Sequence, residues 1–330
     1  MSDEGTRLVL VAHGSRDARA ARSTRGLARA VARRLAGDGT SGDGSSVEGS
    51  VPTSAATVAG PGPAMPGAGL ALPVSPIPGG LAPAQGRRRL PRPRRPARPG
   101  TLAAGTLAAG SPVSAAFLDF SAPRLPDVLS AAAARGETTA IVVPLLLTAA
   151  YHGRVDVPAD IERAVAAGAR IDVGLGTVLG PVDGAVLDRR ALDLMTAALI
   201  RRLDQTGALA GSDGILLAGA GSREDGALRT VDLVADALGT ALGRPCRAGY
   251  ASGSGPDTAA AFAALRADGA RRIAVASYFL APGLLHDRIV ERARDAGAVG
   301  IAGPLGAAPE IARLVLLRAG AARVLDPVAA

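Results

Sequence analysis

The chain has 330 residues, of which 48% are apolar, 20% are charged and 2% are aromatic. This apolar content supports a folded core, and the single cysteine, Cys246, excludes a disulfide scaffold or a multi-cysteine zinc site. The formal net charge is +8. Residues 37–110 contribute half of this charge, with seven arginines and three acidic residues. We interpret residues 37–110 as a solvated basic segment and predict no nucleic-acid partner.

The start of the chain, MSDEGTRLVLVAHGS, has acidic residues before a short apolar run and no basic n-region, so we expect no secretory signal. The longest apolar stretch, AIVVPLLLTAAY from Ala140, has 12 residues and contains a proline. A stretch of this length is too short to cross a bilayer. We therefore predict a cytoplasmic protein without a membrane partner.

Buried strands alternate with helices along the first half. TRLVLVAHG at 6–14 predicts a strand ending in glycine, and Ser15 can cap the following helix, with Asp17 in its first turn. Further strands are predicted at 113–120, 138–147 and 170–176, with helices near 125–135 and 158–167. Apolar strands that alternate with helices indicate a parallel sheet covered on both faces.

Residues 37–110 differ from the rest of the chain in composition. They hold 12 of the 24 prolines and 15 of the 43 glycines, and TLAAGTLAAG at 101–110 is a direct repeat. Such a segment cannot bury enough surface to offset the entropy of ordering it. We predict a disordered, low-complexity insertion with polyproline character near Arg92–Pro99.

The second half repeats the order of the first. GILLAGAGSRED at 214–225 echoes LVLVAHGSRD at 8–17, and ARRIAVASYFLAPG at 270–283 echoes TTAIVVPLLLTAA at 138–150. The segment 37–110 accounts for the extra spacing in the first copy. We predict an α/β fold of two duplicated domains, residues 1–205 and 206–330, each a four-stranded mainly parallel sheet with helices on both faces.

Three chemically capable side chains follow predicted strands. His13 comes directly after the first strand, Asp119 is in the loop after the second, and His152 lies eight residues beyond Pro144 of the third. In open parallel sheets, ligands bind beyond the carboxyl ends of the strands, so we expect these side chains to share one crevice. Two imidazoles and a carboxylate suit a divalent first-row metal ion or proton transfer near neutral pH.

The second copy lacks all three candidates together, which favours a functional role over a structural one. The positions that correspond to His13, Asp119 and His152 are, in that order, Ala220, Ser252 and Leu285. His286 is one position away from the last of these. We interpret it as a surface or capping histidine at the start of a helix.

The segments VAHGSRD, AFLDFSAPRLPDVL and VVPLLLTAAYHGRVDVPADI resemble the signature segments of sirohydrochlorin chelatases of the CbiX type, the class II chelatases. The duplicated layout is similar to the long form of that family, in which two chelatase-like halves are fused. The likeness covers nearly all of the chain outside 37–110. It implies two chelatase-like domains with the working site in the first half and a degenerate site in the second.

The resemblance also implies a reaction and its residues. These lyases insert Co²⁺ or Fe²⁺ into sirohydrochlorin without ATP, on the way to cobalamin or siroheme, and need no cofactor beyond the metal substrate. The family's two metal-binding, proton-handling histidines match His13 and His152. Its acidic residue in a Phe-Leu-Glu segment matches Asp119, where this chain has the shorter aspartate.

The implied substrate is a small-molecule tetrapyrrole that carries many carboxylates. Arg16 and Arg154 are the arginines nearest in sequence to the two histidines, and we predict that they and Ser15 bind the substrate. Since the second half can replace the partner subunit of a shorter homodimer, we expect a monomer.

Three other interpretations remain open at this point. The chain could be a non-catalytic tetrapyrrole or metal carrier on the same scaffold. LVLVAHGS also resembles the opening of the histidine phosphatases, although Ala12 stands where that class has a phosphate-binding arginine. GAGSRE at 219–224 lacks the full glycine pattern of a dinucleotide site.

Overall fold

The computed structural model describes residues 5–37, 107–148, 156–184 and 186–324. The strands in these ranges are β1 (Thr6–Ala12), β2 (Val113–Phe117), β3 (Thr139–Pro144), β4 (Asp172–Leu175), β5 (Val182–Asp183), β6 (Val186–Leu187), β7 (Gly214–Gly219), β8 (Cys246–Tyr250), β9 (Ile273–Ser277), β10 (Gly300–Ile301) and β11 (Arg323–Val324). The helices are α1 (Ala18–Leu35), α2 (Leu125–Ala134), α3 (Asp156–Ala166), α4 (Arg189–Asp204), α5 (Asp225–Leu242), α6 (Thr258–Ala267), α7 (Leu284–Asp295) and α8 (Pro309–Gly320).

The two halves build sheets of the same topology. The first sheet has the order β11-β4-β3-β1-β2 and the second has the order β10-β9-β7-β8. The four strands that each half contributes to its own sheet are parallel. The predicted α/β class and the duplication are therefore confirmed.

The first sheet differs from the prediction in having a fifth strand. β11, near the end of the chain, pairs antiparallel with β4 through Arg323 and Leu175. The sequence pattern did not reveal this pairing because two residues are too few to show a strand period. The added strand covers backbone groups that would otherwise be open at the edge of the sheet.

One apolar core runs through both halves. Alternate residues of β1 point to opposite faces, as a strand requires: Leu8 and Leu10 join the shared core, whereas Val9 and Val11 pack on the other face, against helices α2 and α3. Residues of the second sheet, including Ile215, belong to the same shared core. Side chains of both sheets are therefore buried together in one core.

Two helices cross between the halves. Helix α4 packs against α5 and β9 of the second half, and α8 packs against α1 and β3 of the first. On α8, the buried Arg318 donates to Asp188 Oδ2 at 2.6 Å and to the carbonyl of Gly180 at 2.8 Å. The predicted domain boundary at residue 205 stays a prediction. Helices from each side of this boundary pack against elements of the other side.

The start of helix α1 corrects the predicted cap. Asp17, not Ser15, is the N-cap, and its Oδ1 accepts a hydrogen bond from the Arg19 backbone N–H at 2.8 Å. The Ser15 hydroxyl instead accepts from the Asp17 N–H at 3.1 Å. The helix therefore begins at Ala18, two residues later than a cap at Ser15 would give, and Ser15 lies in the loop after β1.

Most of the segment 37–110 lies outside the described residues, so its predicted disorder stays a prediction. Of this segment, the structure describes Gly37 and residues 107–110. Among the described helices, none has the length and apolar character needed to span a membrane.

Candidate active site

A cavity of about 510 Å³ lies where strand ends of the two halves come together. Its walls are formed by residues that follow β1 and β3 of the first sheet and β7 and β9 of the second. They are mostly apolar and include Leu145, Leu147, Leu228, Phe279 and Leu280. The cavity therefore lies at the carboxyl ends of parallel strands, where the sequence predicts the ligand site.

The two halves are joined by hydrogen bonds beside this cavity. The Tyr278 hydroxyl, from the second half, donates to the Leu147 carbonyl of the first half at 3.0 Å. The Ser23 hydroxyl of α1 donates to the Leu280 carbonyl at 3.0 Å. Tyr278 is buried, and burial raises the pKa of its phenol, so it remains a donor across the physiological pH range.

His13 directly follows β1 and lines the cavity. It also lines an adjoining cavity of about 150 Å³. Its Nδ1 lies 3.4 Å from the Gly14 carbonyl oxygen. The end of β1 therefore places the His13 imidazole at the wall of the larger cavity.

Gly14 allows the loops after β1 and β2 to meet. The Asp119 N–H donates to the His13 carbonyl at 2.8 Å, and a Cβ at Gly14 would lie 1.8 Å from the Asp119 carbonyl oxygen. Gly14 also has a φ of +94°, which disfavours other residues. The backbone beside the two predicted site residues is thus held in one arrangement.

The structure places Asp119 next to His13 along the backbone, but its carboxylate is turned toward its own loop. Asp119 Oδ1 accepts from the Phe120 N–H at 2.9 Å and from Arg124 Nη1 at 3.5 Å. The side chain is 53% exposed and does not line the cavity. The carboxylate of Asp119 therefore does not face the cavity in this arrangement, and its acid–base role stays a prediction.

Residues 149–155 lie outside the described part of the chain, and they include His152 and Arg154. The predicted pair of imidazoles therefore stays a prediction. Thr148, immediately before these residues, lines the cavity, and α3 begins at Asp156 immediately after them.

Phe120 is a neighbour of His13 that the sequence analysis did not single out. The centroids of the two rings are 6.1 Å apart, and the Arg16 guanidinium carbon lies 5.3 Å from the Phe120 centroid. Ser15 lines the cavity, and its carbonyl accepts from the Ser121 hydroxyl at 3.0 Å. Ser15 is thus at the cavity wall, whereas Arg16 contacts Phe120 and is not among the residues that line this cavity. Their substrate-binding roles stay predictions.

The second half repeats this loop geometry with other side chains. Gly221 has a φ of +87° and its Cβ position would lie 1.7 Å from the Ser252 carbonyl oxygen. β1 pairs Ala12 with Phe117, and β7 pairs Gly219 with Tyr250. The predicted equivalences of His13 with Ala220 and of Asp119 with Ser252 agree with this register.

His286 is not a surface or capping histidine, contrary to the prediction. It is the third residue of α7, is 8% exposed and lines the cavity. Its ring packs edge-on against Phe279, with centroids 5.4 Å apart, and its Nε2 lies 3.4 Å from the Ser277 hydroxyl. Burial lowers the pKa of His286, with an opposing contribution from Asp287. Leu284, two positions earlier, is exposed, and residues two positions apart lie on opposite faces of a helix, so His286 is on the inward face of α7.

No group of three or more histidine, cysteine, aspartate or glutamate side chains suited to a metal ion occurs among the described residues. His152 lies outside the described residues, so the predicted metal-binding set stays a prediction.

Three comparisons with known proteins agree on the relationship. The CbiX family model matches residues 91–190 and 214–322, one match in each half, and the first match begins after His13. A sirohydrochlorin ferrochelatase from Priestia megaterium is 25% identical over 177 residues, which is 53% of this chain and 63% of that protein.

Two solved structures share the fold over almost the whole chain. SirB from Bacillus subtilis with Fe³⁺ has 17% identity and a TM-score of 0.60, covering 96% of both chains. SirB from Bacillus subtilis subspecies spizizenii in complex with cobalt has 18% identity and a TM-score of 0.56, covering 96% of this chain and 95% of that one. With a family match in each half and the duplicated chelatase fold, the chain belongs to the CbiX family.

Proposed function

We propose that the protein inserts Co²⁺ or Fe²⁺ into sirohydrochlorin as an ATP-independent, cytoplasmic lyase of cobalamin or siroheme biosynthesis. The observation that carries the proposal is the position of His13, at the carboxyl end of β1 and on the wall of a largely apolar cavity of about 510 Å³. Family membership supports the same reaction. The Priestia megaterium relative is a sirohydrochlorin ferrochelatase, and the SirB structures hold Fe³⁺ or cobalt.

The cavity suits the body of a tetrapyrrole. Apolar residues such as Leu145 and Leu280 line its walls from both halves, and burial of a flat macrocycle there removes apolar surface from water. The exposed Arg16 contacts the Phe120 ring, and the Phe120 ring in turn lies beside His13. A guanidinium there can bind peripheral carboxylates, and Ser15 and Arg154 are proposed to assist.

Metal insertion requires two protons to leave the pyrrole nitrogens while the metal exchanges its water ligands for four ring nitrogens. We assign His13 and His152 as metal ligands and proton acceptors, because a neutral imidazole can do either. Asp119 is assigned the relay of protons to solvent, since its exposed carboxylate lies in the loop bonded to the His13 carbonyl. No cofactor beyond the metal substrate enters this scheme.

A monomer suffices for this site. The cavity is lined by both halves of one chain, and the hydrogen bond from Tyr278 to Leu147 joins them. Light scattering is expected to give the mass of one chain, and a stable dimer would contradict this part of the proposal.

The test follows the absorbance of sirohydrochlorin mixed anaerobically with Co²⁺ or Fe²⁺ and the full-length protein. We expect turnover well beyond one equivalent, and a loss of at least about a hundredfold in kcat for His13→Ala. Ser222→Ala is the matched control, because Ser222 lines the same cavity from the second half and has no assigned role. It is expected to retain the wild-type rate.

The alternatives give different results. A tetrapyrrole or metal carrier would saturate at one equivalent, and that outcome would overturn the proposed catalysis. Hydrolysis of a phosphate ester that depends on His13 would instead support a histidine phosphatase. Against that class, the partly buried strand residue Ala12 supplies no phosphate-binding cation.

A further inference from the structure

Phe120 has a backbone conformation that its side chain opposes. Its φ is +56°, and among the described residues it is the one non-glycine residue with positive φ. The left-handed region costs energy for a residue with a Cβ, and most of all for a bulky one. Such strain persists where the surrounding structure enforces it, and functional sites are where it is often found.

The second half contains the same turn without the strain. The loop between β2 and α2 and the loop between β8 and α6 both bridge a strand end to a residue seven positions later, Phe117 to Arg124 and Tyr250 to Asp257. In this register Gly253 occupies the position of Phe120. Its φ is +81°, so the turn itself needs positive φ and glycine satisfies it.

The side chain gains little from packing within the protein. Phe120 is 50% exposed and is absent from the described hydrophobic clusters. Its ring lies 6.1 Å from that of His13, with 34° between the planes, and under the guanidinium of Arg16 at 5.3 Å. Of the two turns compared, only the turn of the first half therefore has a half-exposed aromatic ring in a strained backbone conformation. That ring lies beside His13, the candidate metal ligand.

We propose that Phe120 is a substrate-binding aromatic residue that stacks edge-to-face on the outer part of the tetrapyrrole while the centre of the macrocycle faces His13. This inference rests on the proposed function and deepens it. A macrocycle extends several ångströms beyond its central nitrogens, so one centred at His13 reaches a ring centred 6.1 Å away. An imidazole that faces the centre through a ring nitrogen is roughly perpendicular to the macrocycle, so the Phe120 ring, 34° from that imidazole, meets the macrocycle at a steep angle. Aromatic rings attract one another in such edge-to-face arrangements.

Arg16 completes this arrangement. Its guanidinium is positioned by the Phe120 ring through a cation–π contact, and its exposed location leaves it accessible to a substrate carboxylate. The aromatic ring thus both contacts the macrocycle and orients the cation that would bind the macrocycle's edge. Glycine at this position, as in the second half, supplies neither function.

The experiment titrates metal-free sirohydrochlorin into the full-length protein to obtain Kd, and measures kcat and KM with Co²⁺. Phe120→Gly and Phe120→Asn remove the ring but tolerate positive φ, so the fold is expected to survive, with an unchanged or raised Tm. Both are expected to raise Kd and KM about tenfold, with kcat changed by less than about threefold.

Conservative substitutions separate stacking from bulk. Phe120→Tyr is expected to bind like the wild type, whereas Phe120→Leu, apolar but not flat, is expected to lose several-fold in affinity. Val186→Asn is the control, since Val186 is another exposed apolar residue, 69% exposed, on the β5–β6 hairpin. It is expected to leave Kd unchanged.

The outcomes distinguish this inference from the proposed function. Wild-type Kd and KM in both Phe120→Gly and Phe120→Asn overturn the stacking role, and wild-type turnover beside them leaves the proposed function intact. A wild-type protein that binds sirohydrochlorin without turnover overturns catalysis, while the Kd series still decides the stacking role. Absence of binding by the wild type overturns both.

Discussion

The turns after the first two strands of each half have the same backbone and different chemistry. Gly14 and Gly221 both sit against a carbonyl of the neighbouring loop, at Cβ distances of 1.8 Å and 1.7 Å. The first turn adds the imidazole of His13 and the second has Ala220. The fold requires a glycine at this position in both halves, because the backbone contact is close. The side chains around the glycine differ between the halves, as expected if only the first half carries out a reaction.

The largest expected effect tests whether the two halves are interchangeable. We expect His13→Ala to lower kcat by about a hundredfold or more, and we expect Ala220→His added to it to restore none of the loss. The reason is that the second half offers Ser252 and Leu285 where the first offers Asp119 and His152. Cobalt insertion measured by absorbance checks this, and rescue by the double variant would show that the halves are equivalent.

The next effect tests what the halves share. Gly14→Ala and Gly221→Ala each place a Cβ against a backbone carbonyl at positive φ, and each is expected to cost about 2–4 kcal/mol in the free energy of unfolding. Urea denaturation measures this loss. Only Gly14→Ala is expected to lower kcat more than tenfold in the folded protein, and equal kcat in the two variants would contradict the assignment of the site to the first half.

A third comparison concerns the opposite end of the sheets. In the first half Arg7 donates to Glu137 at 2.5 and 2.6 Å, and the two side chains are 11% and 13% exposed. In the second half Arg247 pairs with Asp268, with 53% and 32% exposure. Glu137→Gln is expected to cost about 3 kcal/mol, and Asp268→Asn less than about 1 kcal/mol.

The hydrogen bond from Arg7 lowers the pKa of Glu137 below its ordinary value of 4.5, against the effect of burial. The native state therefore binds this proton more weakly than the unfolded chain does. The stabilisation is complete above pH 4.5 and is lost as the pH falls through the folded pKa. Urea denaturation is expected to show the Glu137→Gln deficit shrinking in acid, and a deficit independent of pH would contradict the ion pair.

The smallest effect concerns His286, which the second half buries in the cavity wall. Because burial lowers its pKa below 6.5, the unfolded chain takes up the proton more readily. The free energy of unfolding should therefore decrease as the pH falls below 6.5. His286→Gln is expected to lack this component in urea denaturation between about pH 5 and pH 8, and an identical pH profile in both proteins would contradict it.

Much of the architecture follows from sequence alone. The apolar runs before His13 and Pro144 predict buried parallel strands, and the internal echo predicts two similar sheets, because pattern and repetition are local properties of the chain. The fifth strand β11 was not predictable, since its two residues acquire strand geometry from the open edge of β4. The choice of Asp17 over Ser15 as the cap likewise depends on where the loop turns.

The candidate site divides in the same way. The position of His13 was predictable, because ligands of open parallel sheets bind beyond the carboxyl ends of the strands, whereas its role and the roles of His152 and Arg154 stay predictions. Phe120 could have been found by asking which residue of the first half replaces the turn glycine Gly253. The burial of His286 could not, since it depends on the packing of α7 against the rest of the second half.

The order of residues along the chain by itself determined the long buried strands, the duplication and the asymmetry of the two turns. The tertiary structure decided the exchange of helices α4 and α8, the edge strand, the inward direction of His286 and the meeting of both halves around one cavity. The physical reason is range. Periodicity and backbone preference act over a few residues, whereas helix exchange and cavity walls depend on contacts between segments more than a hundred residues apart, as between Arg318 and Asp188.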